Sequence, residues 1–278
     1  MEDRYALIKS RLMELAESDD SIKAVIAIGS TTRKDIVADE FSDLDLFIIT
    51  DDAESWLRGK NPEKLGNVRI SFVEPTLGGG EERRCIFEDS LDVDMIVLTP
   101  ERFDAVVKEG IASWVCNRGY KVLYDTMGFE KLMAQYIKCE VGSADISEAE
   151  YKNRINDFYF HIIWASKKIL RGEFWSGKMC LDAYLKGHLL RIMEAYTTCK
   201  YHTDTWHDGR FLDRWADSET KNELKNCFAH YERDDMVSAL KATFKLFTRL
   251  AGELADMKGY PFPEDAKKCA ETFLEERF

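Results

Sequence analysis

Two stretches decide the fold: AVIAIGS at residues 24–30 and FSDLDLFIIT at residues 41–50. Both are runs rich in Val, Ile and Phe, which predict buried strands of one sheet. Because side chains alternate along a strand, Asp43 and Asp45 project from one face and the leucine between them from the other. Two carboxylates held so close repel each other unless a divalent cation lies between them, and oxygen ligands suit Mg²⁺. The sequence therefore predicts a magnesium site at the end of the second strand.

Gly29 and Ser30 directly follow the first of these strands. A glycine lets the backbone approach a ligand closely, and Ser30 adds a hydroxyl and an N–H donor where a helix could begin. The pair favours an anion-binding turn. The alternative reading is a surface turn before an aspartate-capped, half-exposed strand.

The order Gly29-Ser30, then Asp43-Leu44-Asp45, resembles the signature of the nucleotidyltransferase superfamily that includes DNA polymerase beta. The resemblance implies that the Gly-Ser turn holds the outer phosphates of a nucleoside triphosphate and that Asp43 and Asp45 hold the metal ions. It also implies a third carboxylate on a neighbouring strand.

The third carboxylate is expected in CIFEDSLDVDMIVLTP, residues 85–100, which predicts a strand, a turn and a second strand. Asp92 and Asp94 share one face of that second strand. We select Asp94 because it lies within the apolar run 93–98, where an unpaired carboxylate would be costly. Asp92 is the weaker candidate, and the alternative for Asp94 is an edge-strand aspartate that faces solvent.

The composition excludes several classes of protein. The chain has 278 residues, 45% of them hydrophobic, and no apolar run as long as a membrane span, which predicts a globular protein. A charged N-terminal stretch argues against a signal peptide, and the 7 scattered cysteines fit reduced thiols, so we expect a cytoplasmic protein. The net charge of −12 disfavours nucleic acids and membranes as partners and favours a cationic small substrate. The sequence leaves the oligomeric state open.

The pattern changes along the chain. Strand-like segments extend to residues 121–124, and residues 77–84, with three consecutive glycines, predict a mobile hairpin or lid. Long amphipathic segments then predict helices at residues 129–138, 147–171, 178–196, 218–230 and 234–257. Strands followed by helices predict an α+β protein of two domains. Residues 1–135 are expected to form a mixed sheet with helices of the nucleotidyltransferase, polymerase beta-like type, and residues 136–278 an all-helical bundle.

The second half adds a resemblance to the aminoglycoside 6-adenylyltransferase family. It rests on an aromatic-rich helix that ends in basic residues, a Lys-Met-Asp-like element, a following helix, a tryptophan-containing segment and an aromatic-proline close. The segments are FYFHIIWASKKILRGE, GKMCLDAY, HLLRIMEAY, TWHDGRFLDRW and GYPFP.

This resemblance implies transfer of AMP from ATP to a hydroxyl of an aminoglycoside such as streptomycin, with release of pyrophosphate. Two Mg²⁺ ions would bridge Asp43, Asp45 and Asp94, with Asp94 also acting as general base, and Gly29 and Ser30 would hold the pyrophosphate. The alternatives are transfer to another small molecule, a protein or an RNA end, or a nucleotide-binding module without catalysis.

Lys178 is a further candidate for nucleotide binding. It follows Gly177 at a predicted helix start, where a cation opposes the helix dipole. A phosphate group would resolve that conflict, so we predict that Lys178 contacts the triphosphate.

Overall fold

The computed structural model describes residues 3–33, 38–76, 79–138, 144–205 and 208–278. Contacts between Cα atoms divide the chain into two compact units, Met1–Val141 and Gly142–Phe278. The first unit contains a sheet with helices, and the second is helical.

The first unit is built on a 6-stranded mixed sheet. Its strands are β1 (Ile22–Ile28), β2 (Leu44–Thr50), β3 (Val68–Pro75), β4 (Glu81–Phe87), β5 (Asp92–Leu98) and β6 (Lys121–Asp125). Their order across the sheet is β3-β4-β5-β2-β1-β6. Neighbouring strands are antiparallel except β2 and β5, which are parallel. The predicted mixed sheet is confirmed, and β5 is an inner strand, so Asp94 is not an edge-strand residue.

Helices cover both faces of this sheet. They are α1 (Ala6–Ser18), α2 (Ala53–Leu57), α3 (Asn61–Leu65), α4 (Pro100–Lys108), α5 (Ile111–Cys116) and α6 (Phe129–Tyr136). Leu44, Leu46 and Ile48 belong to an apolar cluster with α1, α2 and α3, whereas Phe47 and Ile49 belong to a second cluster with α4, α5 and α6. Because both faces of β1 and β2 are buried, these two inner strands are apolar at most positions.

The predicted hairpin at residues 77–84 is partly corrected. Strand β4 begins at Glu81, so residues 81–84 belong to the sheet and not to a loop. The backbone N–H of Thr76 donates to the carbonyl oxygen of Gly80 at 2.9 Å and links the two ends of the connection. Leu77 and Gly78 lie outside the described residues.

The second unit consists of helices around one apolar core. They are α7 (Glu148–Leu170), α8 (Phe174–Met179), a π-helical segment (Cys180–Tyr184), α9 (Leu185–Tyr201), α10 (Leu212–Trp215), α11 (Ser218–Leu224), α12 (Arg233–Lys258) and α13 (Glu264–Arg277). Phe158 of α7 stacks on Phe247 of α12 with ring centroids 3.5 Å apart. The Tyr151 hydroxyl donates to the Ala251 carbonyl oxygen at 2.8 Å. This arrangement confirms the all-helical second half.

Within the described ranges, no helix combines the length and the apolar character that crossing a membrane requires. The cysteines in the same ranges are all free thiols, and most of them are buried.

Candidate active site

Strand register brings the predicted carboxylates together. Strands β2 and β5 are parallel neighbours in which Asp45 lies beside Asp94, and Asp43 directly precedes β2. One carboxylate oxygen from each of Asp43, Asp45 and Asp94 lies within 4.8 Å of the others. Among the described residues this is the one group of acidic, histidine or cysteine side chains with such spacing. Asp92 does not belong to it.

The Gly29-Ser30 turn closes one side of this group. Gly29 has a φ of +69°, and a Cβ added there would lie 2.0 Å from Oδ2 of Asp45. Only glycine fits this position, because the carboxylate occupies the space that any side chain would need. The Ser30 hydroxyl lies 3.2 Å from the carbonyl oxygen and 3.3 Å from Oδ1 of Asp43, to which it donates. The turn therefore contacts both members of the Asp43-Leu44-Asp45 pair.

A second glycine, Gly119, packs against the same turn. The Thr32 hydroxyl lies 3.0 Å from the carbonyl oxygens of both Gly29 and Gly119. A Cβ on Gly119 would lie 2.5 Å from the Thr32 carbonyl oxygen. The turn is thus packed closely against the segment that leads into β6, which fixes its position relative to the carboxylates.

The carboxylates are held at an electrostatic cost. Burial, followed by the charges of Asp43 and Asp94, raises the pKa of Asp45 to about 7, and Arg84 opposes the rise. Asp94 is only 6% exposed, and its Oδ1 has no hydrogen-bond partner. A buried acceptor without a partner is costly. Three crowded carboxylates with one unsatisfied oxygen are a donor set that fits a hard divalent cation.

Sequence reasoning missed the basic partner of Asp94. Arg84 of β4 lies opposite Asp94 in the antiparallel register, and its Nη2 forms an ion pair with Oδ2 of Asp94. Its Nη1 donates to Oε1 of Glu74 at 3.3 Å. Arg84 therefore occupies one oxygen of Asp94, and the other, Oδ1, has no hydrogen-bond partner.

Glu82 is the second residue that the sequence did not single out. It lies opposite Ile96 of β5. Glu82 and Ile96 are each two residues along their strand from Arg84 and Asp94, so the two pairs share one face of the sheet. Burial, a hydrogen bond with Glu74 and the charge of Asp94 raise the pKa of Glu82 to about 7. A signal existed in the alternation of Glu82 and Arg84 along β4, but the register with β5 was needed to interpret it.

Lys178 differs from its prediction in local structure. It lies near the end of α8, and the helical path continues through the π-helical segment into α9, so it is not at a helix start. Its Nζ contacts a carboxylate oxygen of Asp182 and the carbonyl oxygen of Ala229. Lys178 therefore does not oppose a helix dipole, and its charge is balanced by these partners in the second unit. A contact between Lys178 and the triphosphate stays a prediction.

The sheet, the Gly-Ser turn at the end of β1 and the carboxylates on β2 and β5 define a protein of the nucleotidyltransferase class. A family model described as streptomycin adenylyltransferase matches residues 3–277. The chain belongs to this family of adenylyltransferase enzymes.

Similar proteins carry related names. The chain is 21% identical over 263 residues to an aminoglycoside 6-adenylyltransferase of Bacillus subtilis (strain 168), covering 91% of this chain and 90% of that protein. A solved structure of an aminoglycoside 6-adenyltransferase from Bacillus subtilis matches with a TM-score of 0.47 at 17% identity, covering 99% and 98% of the two chains. A nucleotidyltransferase-like protein from Exiguobacterium sibiricum matches with a TM-score of 0.35 at 10% identity, covering 90% and 78%.

Proposed function

We propose that the chain transfers AMP from ATP to a hydroxyl group of a streptomycin-like aminoglycoside and releases pyrophosphate. The observation that carries this proposal is the group formed by Asp43, Asp45 and Asp94 beside the Gly29-Ser30 turn. Membership of the family over residues 3–277 supports the type of reaction.

The donor set suits Mg²⁺. Asp43, Asp45 and Asp94 offer oxygen ligands that crowd one another, and a divalent cation would relieve their repulsion. Two bound Mg²⁺ ions would lower the pKa of the acceptor hydroxyl and neutralise the charge of the triphosphate.

The chain's own groups divide the remaining work. The acceptor oxygen forms a bond to the α-phosphorus while the bond from that phosphorus to the bridging oxygen of the pyrophosphate breaks, and the pyrophosphate leaves with the electron pair. Oδ1 of Asp94 accepts the proton of the acceptor hydroxyl as general base. Arg84 holds the other oxygen of Asp94 and so fixes the direction of Oδ1. The Gly29 and Ser30 backbone N–H groups donate to the departing pyrophosphate, and the Ser30 hydroxyl joins them by exchanging its hydrogen bond to Asp43 for one to the pyrophosphate.

The acceptor is expected to be cationic. The chain carries a net charge of −12, which attracts polycations and repels polyanions at long range. On the helical unit, the Asp157 carboxylate has aromatic neighbours: the Tyr184 hydroxyl donates to it at 3.0 Å, and Nδ1 of His161 lies at 2.6 Å. A carboxylate next to an aromatic ring that is 45% exposed suits an amino sugar, through charge attraction and ring contact. We assign acceptor contacts to this surface.

The test measures both products of the reaction. The purified chain is incubated with ATP, Mg²⁺ and a panel of aminoglycosides that includes streptomycin, and pyrophosphate release and the mass of the acceptor are followed. Acceptor-dependent release with an AMP adduct is expected, and Asp43→Asn should abolish both. If no aminoglycoside stimulates pyrophosphate release, the proposed class of acceptor is wrong. The same transfer would then act on another substrate.

A matched pair of variants tests the acceptor surface. Asp157→Asn should weaken aminoglycoside binding in calorimetry at low salt, and the difference should shrink as ionic strength rises. Asp234→Asn changes the charge equally at a side chain that is 93% exposed on α12 and should have little effect. Equal effects of the two substitutions would show that only the net charge of the protein matters, which would contradict the assignment of acceptor contacts to Asp157.

A further inference from the structure

A cavity of about 270 Å³ lies on the same face of the sheet as the three carboxylates. Phe47 and Ile96 form part of its wall. Phe47 follows Asp45 by two residues on β2, and Ile96 follows Asp94 by two residues on β5. Two residues span about 6.6 Å along a strand, so Phe47 and Ile96 place this wall of the cavity about that far beyond the carboxylates on the same face.

The side chains that line the cavity are largely apolar. Side chains of β2, β5, α4 and α5 supply most of the surface, and the indole of Trp114, 46% exposed, forms one side. Glu82 is the one ionisable group among the described residues that line the cavity. It is half-buried and shares a hydrogen bond with Glu74.

These walls discriminate between ligand types. A phosphate would find no cation among the described lining residues, and an anion next to Glu82 would be repelled. A multi-ring aminoglycoside is a poor match, because its many polar and cationic groups would meet largely apolar walls with Glu82 as the one ionisable partner among the described lining residues. A flat heteroaromatic ring fits an apolar slot with an aromatic side, and an amino group on that ring fits a single carboxyl acceptor.

We propose that this cavity binds the adenine base of the nucleoside triphosphate, with Glu82 accepting a hydrogen bond from the exocyclic amino group. The assignment rests on the proposed function, since it takes the phosphates to be held at Gly29, Ser30 and the carboxylates. A nucleotide bound there extends from the site along β2 and β5, and its base lies over Phe47 and Ile96 beside Trp114. Glu82 then selects adenine over bases that lack the amino group.

The experiment compares ligands that share phosphates and differ in the base. Calorimetry with Mg²⁺ gives the Kd of a non-hydrolysable ATP analogue, the corresponding inosine analogue and inorganic tripolyphosphate. Trp114→Ala should weaken the ATP analogue about tenfold, the size expected for loss of one base–aromatic stack, and leave tripolyphosphate unchanged. Val115→Phe, which fills the cavity, should give the same pattern. Leu7→Ala removes a side chain that is 61% exposed on α1, a helix of the opposite face, and should change neither ligand.

A matched pair of substitutions tests the role of Glu82. Glu82→Leu removes the acceptor and should bring the affinities for the ATP and inosine analogues together. Glu82→Asp keeps a carboxyl acceptor and should retain part of the preference for adenine, whereas glutamine is unsuitable because its N–H₂ group could donate to the oxygen of the inosine analogue. A preference lost equally in both variants would overturn the role of Glu82.

The outcomes also separate this inference from the proposed function. If the ATP analogue binds the Trp114→Ala and Val115→Phe variants as tightly as the wild type, the base lies elsewhere and the inference is wrong. Equal weakening of ATP analogue and tripolyphosphate would show distortion of the phosphate site and would also overturn it. A wild-type protein that binds neither ligand with Mg²⁺ would instead remove the proposed function, and this assignment with it.

Discussion

Replacing Asp45 by asparagine should stabilise the metal-free protein at neutral pH while removing its response to Mg²⁺. Burial, then the charges of Asp43 and Asp94, raises the pKa of Asp45 from 3.8 to about 7. A difference of about three pKa units corresponds to about 4 kcal/mol at 1.36 kcal/mol per unit. That figure is the upper limit of what ionising Asp45 costs the folded protein.

The sign follows from proton binding. The folded state keeps the Asp45 proton in a pH range, about 4 to 7, where the unfolded chain has already lost it. The free energy of unfolding therefore falls as pH rises through this range, because the folded state binds more protons. The Asp45→Asn protein has no such group at this position and lacks this part of the pH dependence. Groups distant from the carboxylates titrate alike in both proteins and cancel in the difference, whereas groups that interact with Asp45, such as Glu82, contribute to it.

The assay is urea unfolding at pH 5 and pH 8 in the presence of a chelator. Relative to wild type, Asp45→Asn should gain about 2 to 3 kcal/mol between the two pH values, because only the part of the titration range from pH 5 to pH 7 is crossed. Asp92→Asn is the control, because Asp92 lies on the same face but outside the carboxylate group, and its gain should be smaller. Added Mg²⁺ at pH 8 should stabilise wild type and not Asp45→Asn. A wild-type protein with the same pH dependence as Asp45→Asn would refute the reasoning.

Three further substitutions test the site. Asp94→Ala should lower kcat more than it lowers the affinity for ATP, because a general base acts in the transition state. Asp92→Ala should have a smaller effect on kcat, and a larger effect of Asp92→Ala in steady-state kinetics would show that Asp94 is not the base. Gly29→Ala should abolish Mg²⁺-dependent transfer because its Cβ would meet a carboxylate oxygen of the site, whereas Gly128→Ala, at a similar positive φ with open space around it, should only destabilise the fold by about 1 to 2 kcal/mol. Arg84→Met should lower kcat on the order of tenfold or more with the KM for ATP little changed, and Arg84→Lys should recover only part, since lysine lacks the planar fork; a change confined to the KM for ATP would contradict the positioning role.

The strands were predictable because their sequence signals are local. β1 occupies residues 22–28, and each predicted strand lies within a few residues of an observed one, since alternating or continuous apolar runs depend only on neighbouring positions. The last helix, α13, was not predicted. Its residues are mostly charged, and only Ala270 and Leu274 are buried in the core, so the apolar stripe is too narrow to recognise without its partner helix.

The residues around the carboxylates were less predictable because they depend on pairing between strands. A period of two shows that Glu82 and Arg84 share a face, but a shift of one residue between β4 and β5 would have turned both away from Asp94. The predicted helix start at Lys178 was wrong for a related reason. Its helix start was inferred from Gly177, yet that glycine is buried within α8, and the packing of the second unit decides where the helix begins.

The site also explains where the fold carries its strain. The parallel β2–β5 pair lies at the centre of the sheet and is buried on both faces, so its backbone is fixed by packing that extends well beyond the carboxylates. That packing holds Asp45 beside Asp94 although both would be better solvated apart, and Arg84 compensates only one of the oxygens. A loop could relax by moving the carboxylates apart, whereas two inner strands cannot. A cation that binds here would meet carboxylates that folding has already brought together, so little of its binding energy would be needed to assemble the ligands.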